Sequence, residues 1–281
     1  MNQLKTVILL GALTGLLLAV GYLLAGQSGL LIGLLFSLAM NLFSYFFSHK
    51  LVLALYRAKP ASESEYRELH QAVLELSQKS GIPQPKLYII PSPHANAFAT
   101  GRNPQHAVVA VTEGILGLLT KEELKGVLAH EISHVKNRDI LISTIAATIA
   151  GVISYIAMIA RWGAIFGFGG RDRDSNIFEL LALAILTPII AMLIQLAISR
   201  SREYLADESG ARLMHSGKPL ASALLKLEKA TSRSPLPFMG ATESTAHLFI
   251  TNPFRGGAWV HLFLTHPPTK KRVERLEGMR F

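Results

Sequence analysis

The segment His130-Glu131-Ile132-Ser133-His134 is the part of this 281-residue chain from which its fold and chemistry are best inferred. On a helix, side chains four positions apart lie on the same face, so the two imidazoles stand one turn apart. Such a face can bind a zinc ion, and Glu131 can act as a general base toward a zinc-bound water. Five residues are a weak signal alone, so the surrounding sequence has to supply a helix and a third ligand.

A helix start lies ten residues before His130. Thr120 and Glu123 form a capping box, in which each side chain accepts a hydrogen bond from the other residue's backbone N–H. We expect the helix that begins there to carry both histidines. Because no helix breaker follows, we expect it to continue past Asp139 into the apolar run 140–160.

The sequence upstream of that helix predicts a small sheet with flanking helices. The expected elements are an amphipathic helix over 64–80 that stops at Gly81, a strand over 86–90, a hairpin of strands 96–100 and 106–111, and a short helix over 112–119. The first hairpin strand carries the predicted substrate-binding residues Asn96, Ala97, Phe98 and Ala99. It serves either as an edge strand that pairs with an extended peptide or as an ordinary hairpin strand.

Composition favours a membrane protein. Half of the residues are hydrophobic and only 17% are charged. The chain has no cysteine, which excludes disulfides, thiolate metal sites and a cysteine nucleophile. Its net charge is +9, and the basic residues are scattered, many of them beside apolar segments, which suits contact with anionic lipid headgroups. No motif supports nucleic acid binding.

Apolar runs predict four transmembrane helices, at 6–25, 30–47, 140–160 and 180–198. The first run resembles a signal peptide, but its charged leader is minimal and a second run follows closely, which favours a retained hairpin. Basic residues concentrate at 50–59, 136–138 and 200–202, which indicates a cytoplasmic catalytic domain. The predicted division is a membrane hairpin at 1–49, a first catalytic part at 50–139, a second membrane hairpin at 140–198, and a second catalytic part at 199–281.

Glu203 is the candidate third metal ligand. If the third and fourth spans form an antiparallel hairpin, Glu203 and His134 stand at the same height, about 8–9 Å above the membrane. Asp207, one turn further on, could then accept a hydrogen bond from a ligand histidine. The alternative is a solvated acidic face beside Arg200 and Arg202. His266, before two prolines, could assist catalysis or simply precede a helix start.

Taken together, these motifs resemble the HtpX-type membrane zinc endopeptidases, relatives of the CaaX-prenyl proteases. The segments that carry the resemblance are Asn96-Ala97-Phe98-Ala99-Thr100-Gly101, His130-Glu131-Ile132-Ser133-His134, Ser201-Arg202-Glu203-Tyr204-Leu205-Ala206-Asp207 and Thr265-His266-Pro267-Pro268. The resemblance covers essentially the whole chain. It implies a mainly α fold with a small β-sheet and a gluzincin-like domain that faces the cytoplasm. It also implies Glu203 as third ligand, Asp207 behind the ligands, and His266 near the active site.

The leading hypothesis is therefore a zinc endopeptidase of the cell inner membrane, with one Zn²⁺ per chain. The resemblance implies protein quality control under stress, with misfolded or damaged membrane proteins as substrates and membrane proteases or chaperones as possible partners. One alternative is an intramembrane protease, which the charges around the zinc motif disfavour. Another is a non-catalytic membrane scaffold or chaperone, which the intact Glu131 and the complete ligand set disfavour.

Overall fold

The computed structural model of the chain describes residues 2–143, 145, 200–234, 248–250 and 267–281. Its helices are α1 (Asn2–Leu55), α2 (Arg67–Ser80), α3 (Glu113–Leu118), α4 (Lys121–Lys136), α5 (Arg200–Met214), α6 (Lys218–Arg233) and α7 (Thr269–Glu277). Its strands are β1 (Lys59–Pro60), β2 (Lys86–Ile90), β3 (Ala97–Thr100) and β4 (Val108–Thr112). The fold is thus mainly helical with a small sheet, as the sequence predicts.

Helix α1 folds back on itself near Gly26, whose φ of +57° suits a residue without a side chain. The Asn41 side chain donates to Thr14 Oγ1 at 2.9 Å. In a straight helix these two residues would stand about 40 Å apart. A Cβ added at Gly33 would lie 2.7 Å from the Leu17 carbonyl oxygen, so the two arms pack closely. The two N-terminal apolar runs therefore form a helical hairpin.

One segment of the described residues, Gly26–Phe47, is long and apolar enough to cross a membrane. Large apolar side chains along it are exposed, as lipid contact would require; they include Leu31, Ile32, Leu35, Phe36 and Leu38. The predicted spans 140–160 and 180–198 lie outside the described residues apart from 140–143 and 145. Four spans, and the division of the chain built on them, stay predictions.

The sheet has the strand order β1-β2-β4-β3, with β3 at one edge. Strands β2 and β4 are parallel, whereas β3 and β4 form the antiparallel hairpin that the sequence predicts. The turn between β3 and β4 requires glycine at position 101. Gly101 has φ of +133°, and a Cβ there would collide with the carbonyl oxygen of His106.

The two faces of the sheet pack against different elements because strand side chains alternate between faces. On one face the sheet joins a core with α2, α4 and α6, including Leu76, Val109, Leu128, Ile132 and Leu224. On the other face lie the last turns of α1, with Val52 and Leu53 against Phe98, Val108 and Ala110. The end of the helical hairpin therefore docks directly behind the edge strand β3.

One prediction about α4 is wrong, because the helix does not run on into the next apolar segment. It ends at Lys136, and Arg138 takes a left-handed conformation with φ of +58°. Asp139 N–H then bonds to the His134 carbonyl at 3.0 Å, and helical structure resumes at Ile140. This turn brings Asp139 back toward the histidines.

Candidate metal centre

Close packing of α4 against α5 builds the centre. A Cβ added at Gly210 would lie 2.9 Å from the backbone nitrogen of His130, so only glycine lets the two helices approach this closely. The approach places Glu203 opposite the two histidines of α4. One ligand atom from each of His130, His134 and Glu203 lies within 4.8 Å of the others.

The spacing of these atoms fits a small tetrahedral cation. The two Nε2 atoms of His130 and His134 are 3.2 Å apart. Glu203 places Oε1 3.4 Å from His134 Nε2 and Oε2 3.8 Å from His130 Nε2. Ligands bonded to a tetrahedral zinc ion at about 2.0–2.1 Å stand about 3.3–3.4 Å from one another. Two imidazoles and a carboxylate are also donors that zinc accepts, so the residues fit the ion.

A carboxylate lies behind each histidine. Asp207 Oδ1 is 2.9 Å from His130 Nδ1, and Asp139 Oδ2 is 3.2 Å from His134 Nδ1. A proton on each Nδ1 leaves both Nε2 lone pairs facing the centre, which is how outer carboxylates fix metal-binding histidines. Burial alone would lower the pKa of His134, but Asp139, Glu203 and Glu131 raise that pKa to about 9. The surroundings therefore favour a positive charge at this point.

Arg272 from α7 balances the negative charge behind the centre. Its Nε and Nη2 donate to the two oxygens of Asp207 at 2.8 and 2.7 Å, and Nη1 donates to the Ile250 carbonyl at 2.9 Å. The side chain is only 1% exposed. Burial opposes the ionisation of Asp207, but this guanidinium holds the pKa of the carboxyl well below its usual range. A fork of two hydrogen bonds thus favours the ionised form of Asp207.

Glu131 lines the same cleft as the three donor groups. It is 6% exposed, and its Oε2 accepts a hydrogen bond from the Ala99 N–H of β3 at 2.8 Å. Burial raises the pKa of this carboxyl, although His130 and His134 act in the opposite direction. A raised pKa makes a carboxylate a stronger base, which is the property that a general base needs.

The remaining walls of the cleft come from the edge strand and from residues 248–250. Phe98 and Ala99 line the cleft, together with Leu248, Phe249, Ile250 and Arg202. The Asn96 side chain binds the backbone of the second segment. Its Nδ2 donates to the Leu248 carbonyl at 3.3 Å, and its Oδ1 accepts from Ile250 N–H at 3.2 Å. Asn96 therefore holds residues 248–250 beside the cleft.

The structure brings together most of the predicted site residues, namely His130, Glu131, His134, Glu203, Asp207, Phe98 and Ala99, and their roles stay predictions. His266 lies outside the described residues. Sequence reasoning missed Asp139 and Arg272. A signal for Arg272 existed, because it shares the buried stripe of α7 with Val273 and Leu276, where an arginine is out of place unless it is paired. No comparable signal marked Asp139.

The chain is similar to known peptidases over most of its length. Residues 63–280 match the model of peptidase family M48. The protease HtpX homolog of Pyrococcus furiosus is 56% identical over 97% of this chain and 94% of its own length. That of Desulfatibacillum aliphaticivorans is 54% identical over 99% of this chain and 90% of its own.

Among solved structures, S. mikatae Ste24p matches with a TM-score of 0.52 and 19% identity, which is a likeness of fold. The match covers 98% of this chain but 65% of that longer protein. The family model covers most of the chain, and the relatives exceed half identity over nearly all of it. The chain therefore belongs to peptidase family M48, as a metalloprotease of the HtpX type.

Proposed function

We propose that this metalloprotease binds one zinc ion through His130, His134 and Glu203 and hydrolyses peptide bonds of misfolded or damaged membrane proteins at the cytoplasmic face of the membrane. The observation that carries the proposal is the convergence of these three donor groups, within 4.8 Å of one another, beside the buried Glu131. The ion would polarise the scissile carbonyl and make an attacking water more acidic.

The chain's own residues supply the other parts of the reaction. Glu131 takes the proton of the attacking water and delivers it to the leaving amine. Asp207 and Asp139 keep the ligand imidazoles in one tautomer and orientation. Arg272 keeps Asp207 ionised, so the arrangement does not change when the protonation of Glu131 changes.

Strand β3 is the proposed docking site for the substrate backbone. It lies at one edge of the sheet, and its residues Phe98 and Ala99 line the cleft beside Glu131. An extended peptide that adds to this edge would lay its scissile bond across the cleft. Because backbone pairing needs an unfolded segment, it favours misfolded chains over compact ones.

The membrane location rests on the apolar hairpin. Gly26–Phe47 can cross a bilayer, and the end of α1 packs on the sheet through Val52 and Leu53. The catalytic cleft is therefore held at a fixed short distance from the membrane surface. Such a placement suits substrates that are themselves anchored in the bilayer, and it supports quality control of membrane proteins as the role.

The deciding experiment is casein cleavage by the purified protein in detergent, with bound zinc counted for every variant. Glu131→Gln should keep its zinc and lose at least a hundredfold in rate, because the base is gone while the ligands remain. Glu203→Ala should lose both zinc and cleavage. Glu122→Gln, an exposed position on the same helix as Glu131, is the matched control and should cleave like the wild type. A Glu131→Gln protein that cleaves at the wild-type rate would place the activity elsewhere.

A further inference from the structure

The turn between β3 and β4 holds one arginine in a fixed orientation at the protein surface. Arg102 Nη2 donates to His106 Nε2 at 2.8 Å, and His106 Nδ1 lies 2.8 Å from Asn103 Oδ1. A guanidinium only donates and an amide oxygen only accepts, so His106 carries its proton on Nδ1. The tight conformation at Gly101 brings the two ends of this turn together. The Arg102 side chain is therefore preorganised rather than free to rotate.

This arginine lies at the end of the candidate membrane span. Its guanidinium stacks over the ring of Phe46 at 5.1 Å, and Lys50 Nζ lies 5.1 Å from the ring centre of Phe47. Phe46 and Phe47 are the last two residues of Gly26–Phe47, and both rings are nearly half exposed. The last residues of a span lie next to the lipid headgroups. Arg102 and Lys50 are thus placed at headgroup level.

Further positive charge surrounds the same point. Lys86 starts the neighbouring strand, and its backbone N–H bonds to the Ala107 carbonyl next to the turn at 3.1 Å. Burial lowers the pKa of His49, and nearby basic side chains lower it further, namely Lys50, Arg102, His106 and Lys86. Within the described residues, no carboxylate forms an ion pair with any of the three cations Lys50, Lys86 and Arg102. The cluster therefore presents a net positive charge to the membrane.

We propose that Arg102, Lys86 and Lys50 form a binding site for the phosphate group of an anionic phospholipid. The inference rests on the membrane location proposed above. Arg102 offers the fork of N–H donors that matches a phosphate, while the two lysines add charge. The exposed faces of Phe46 and Phe47 suit the start of the acyl chains. Clusters of lysine and arginine next to a span attract anionic headgroups in this way.

A lipid bound here would act on the substrate strand. Ala99, whose N–H bonds to Glu131, lies two residues before the turn that carries Arg102. A headgroup that holds the turn would also hold β3 at the cleft. The site would thus tie the position of the edge strand to the membrane surface.

Native mass spectrometry of the full chain in detergent tests the proposal. The protein is titrated with phosphatidylglycerol and, separately, with phosphatidylcholine of the same acyl chains. The wild type should retain phosphatidylglycerol preferentially. Arg102→Gln and Lys86→Gln should each weaken that binding by about fivefold, and together by the product. The double change Lys229→Gln with Arg280→Gln, exposed positions outside the cluster, removes the same charge and should leave binding unchanged.

Two further measurements distinguish lost binding from misfolding, and a lipid phosphate from free phosphate. Arg102→Lys keeps the charge but loses the fork, so it should bind more tightly than Arg102→Gln and less tightly than the wild type; melting curves establish that each variant is folded. If folded Arg102→Gln with Lys86→Gln retains phosphatidylglycerol like the wild type, the proposal is wrong. If inorganic phosphate in large excess displaces the lipid completely, the site binds free phosphate and the lipid assignment falls.

The lipid readout does not depend on catalysis. Casein cleavage measured on the same samples keeps the two proposals apart. A protein that binds phosphatidylglycerol through Arg102 but cleaves nothing would overturn the proposed function and support this inference. A protein that cleaves casein without any lipid preference would support the proposed function and overturn this inference.

Discussion

At the scale of single residues, the centre is defined by what stands behind the histidines. Asp207 lies behind His130 on the neighbouring helix, and Asp139 lies behind His134 across a turn. Both carboxylates are buried, at 3% and 4% exposure. A buried carboxylate beside an imidazole fixes which ring nitrogen carries the proton, and hence which nitrogen is left for a metal.

Asp139→Asn should therefore weaken zinc binding by about 10–100-fold, because an amide holds the imidazole less firmly than a carboxylate. Asparagine also begins helices well, so the helix that resumes at Ile140 should be retained. Competition against a chromogenic chelator measures the affinity. Glu208→Gln, an exposed carboxylate on α5, serves as the control. Equal zinc affinity in Asp139→Asn and the wild type would show that Asp139 does not position the ligand.

Helix periodicity alone predicts four residues of the candidate centre, but it does not predict Asp139. His130 and His134 are four positions apart, and so are Glu203 and Asp207, so helix periodicity puts each pair on one face. Asp139 is five positions after His134, on the far side of a helix end. Its approach depends on the left-handed backbone of Arg138, a residue type that gives no warning of such a conformation.

At the scale of elements, α4 is the central helix, and glycines let the neighbouring helices pack closely against it. Gly210 lets α5 approach the backbone of α4, and Gly126 does the same for α6, where a Cβ would lie 2.8 Å from the Leu220 nitrogen. Helices that approach this closely hold their side chains in a fixed register. The register of α5 against α4 is what positions Glu203.

Gly210→Ala should push α5 away from α4 and reduce zinc affinity by at least tenfold. We expect a loss of about 1–3 kcal/mol in stability as well, because the added methyl group meets backbone atoms that cannot move aside. Zinc content after dialysis and a melting curve measure the two effects. Gly117→Ala is the matched control, because no atom lies within 4 Å of a Cβ at that position. Full zinc retention in Gly210→Ala would show that the close approach at Gly210 is not needed to position Glu203.

The start of α4 gives a pH-dependent prediction. Glu123 closes the capping box with Thr120 and also accepts from Lys226 at 2.7 Å and Ser222 at 2.6 Å. Burial opposes its ionisation, but these partners lower the pKa of Glu123 to about 2. A lowered folded-state pKa stabilises the fold above the unfolded value, near 4.5, and this stabilisation is lost as pH falls toward 2.

Glu123→Gln should cost about 1–2 kcal/mol at pH 7, allowing for solvent screening at the partly exposed Lys226. The difference from the wild type should shrink as pH drops from 5 to 3. Urea unfolding of chelator-treated protein at each pH measures it. Glu228→Gln, exposed on α6, should show no such trend. A difference that stays constant over this range would mean that Glu123 is not an ionised partner in the fold.

The elements themselves were largely predictable, because their signals are local. The strand over 86–90, the hairpin and the capping box all follow from residue types at fixed spacings. The end of α4 was not predictable, since the left-handed conformation of Arg138 that follows it has no local sequence signal. The use of Asn96 to hold residues 248–250 was equally hidden, because the partners are 152 and 154 positions away.

At the scale of the whole molecule, the chain combines an apolar helical hairpin with a unit that carries the candidate metal centre and packs on the end of the hairpin. Tyr56 at the end of α1 contacts Phe98 of the edge strand, with ring centres 5.7 Å apart. The hairpin and the cleft are therefore parts of one packed structure. We expect the tip of the hairpin and the cleft to face opposite sides of the membrane.

The absence of cysteine makes this sidedness directly measurable. Ser28→Cys lies at the tip of the hairpin, and Ser62→Cys lies just before α2 on the catalytic side. A membrane-impermeant maleimide should label Ser28→Cys from outside the cell and Ser62→Cys only in inverted vesicles. The parent chain is an unlabelled control in both preparations. Labelling of both positions from the same side would contradict a spanning hairpin.

The contact between Arg272 and Asp207 also bears on how the protein is made. Arg272 is synthesised 65 residues after Asp207, when His130, His134 and Glu203 are already present in the nascent chain. Until α7 folds into place, burial of Asp207 would leave a carboxylate without its cation, which is strongly unfavourable. The growing polypeptide would thus carry all three candidate ligands without a finished centre. The protease would remain inactive while its own unfolded segments, and those of neighbouring nascent chains, are exposed.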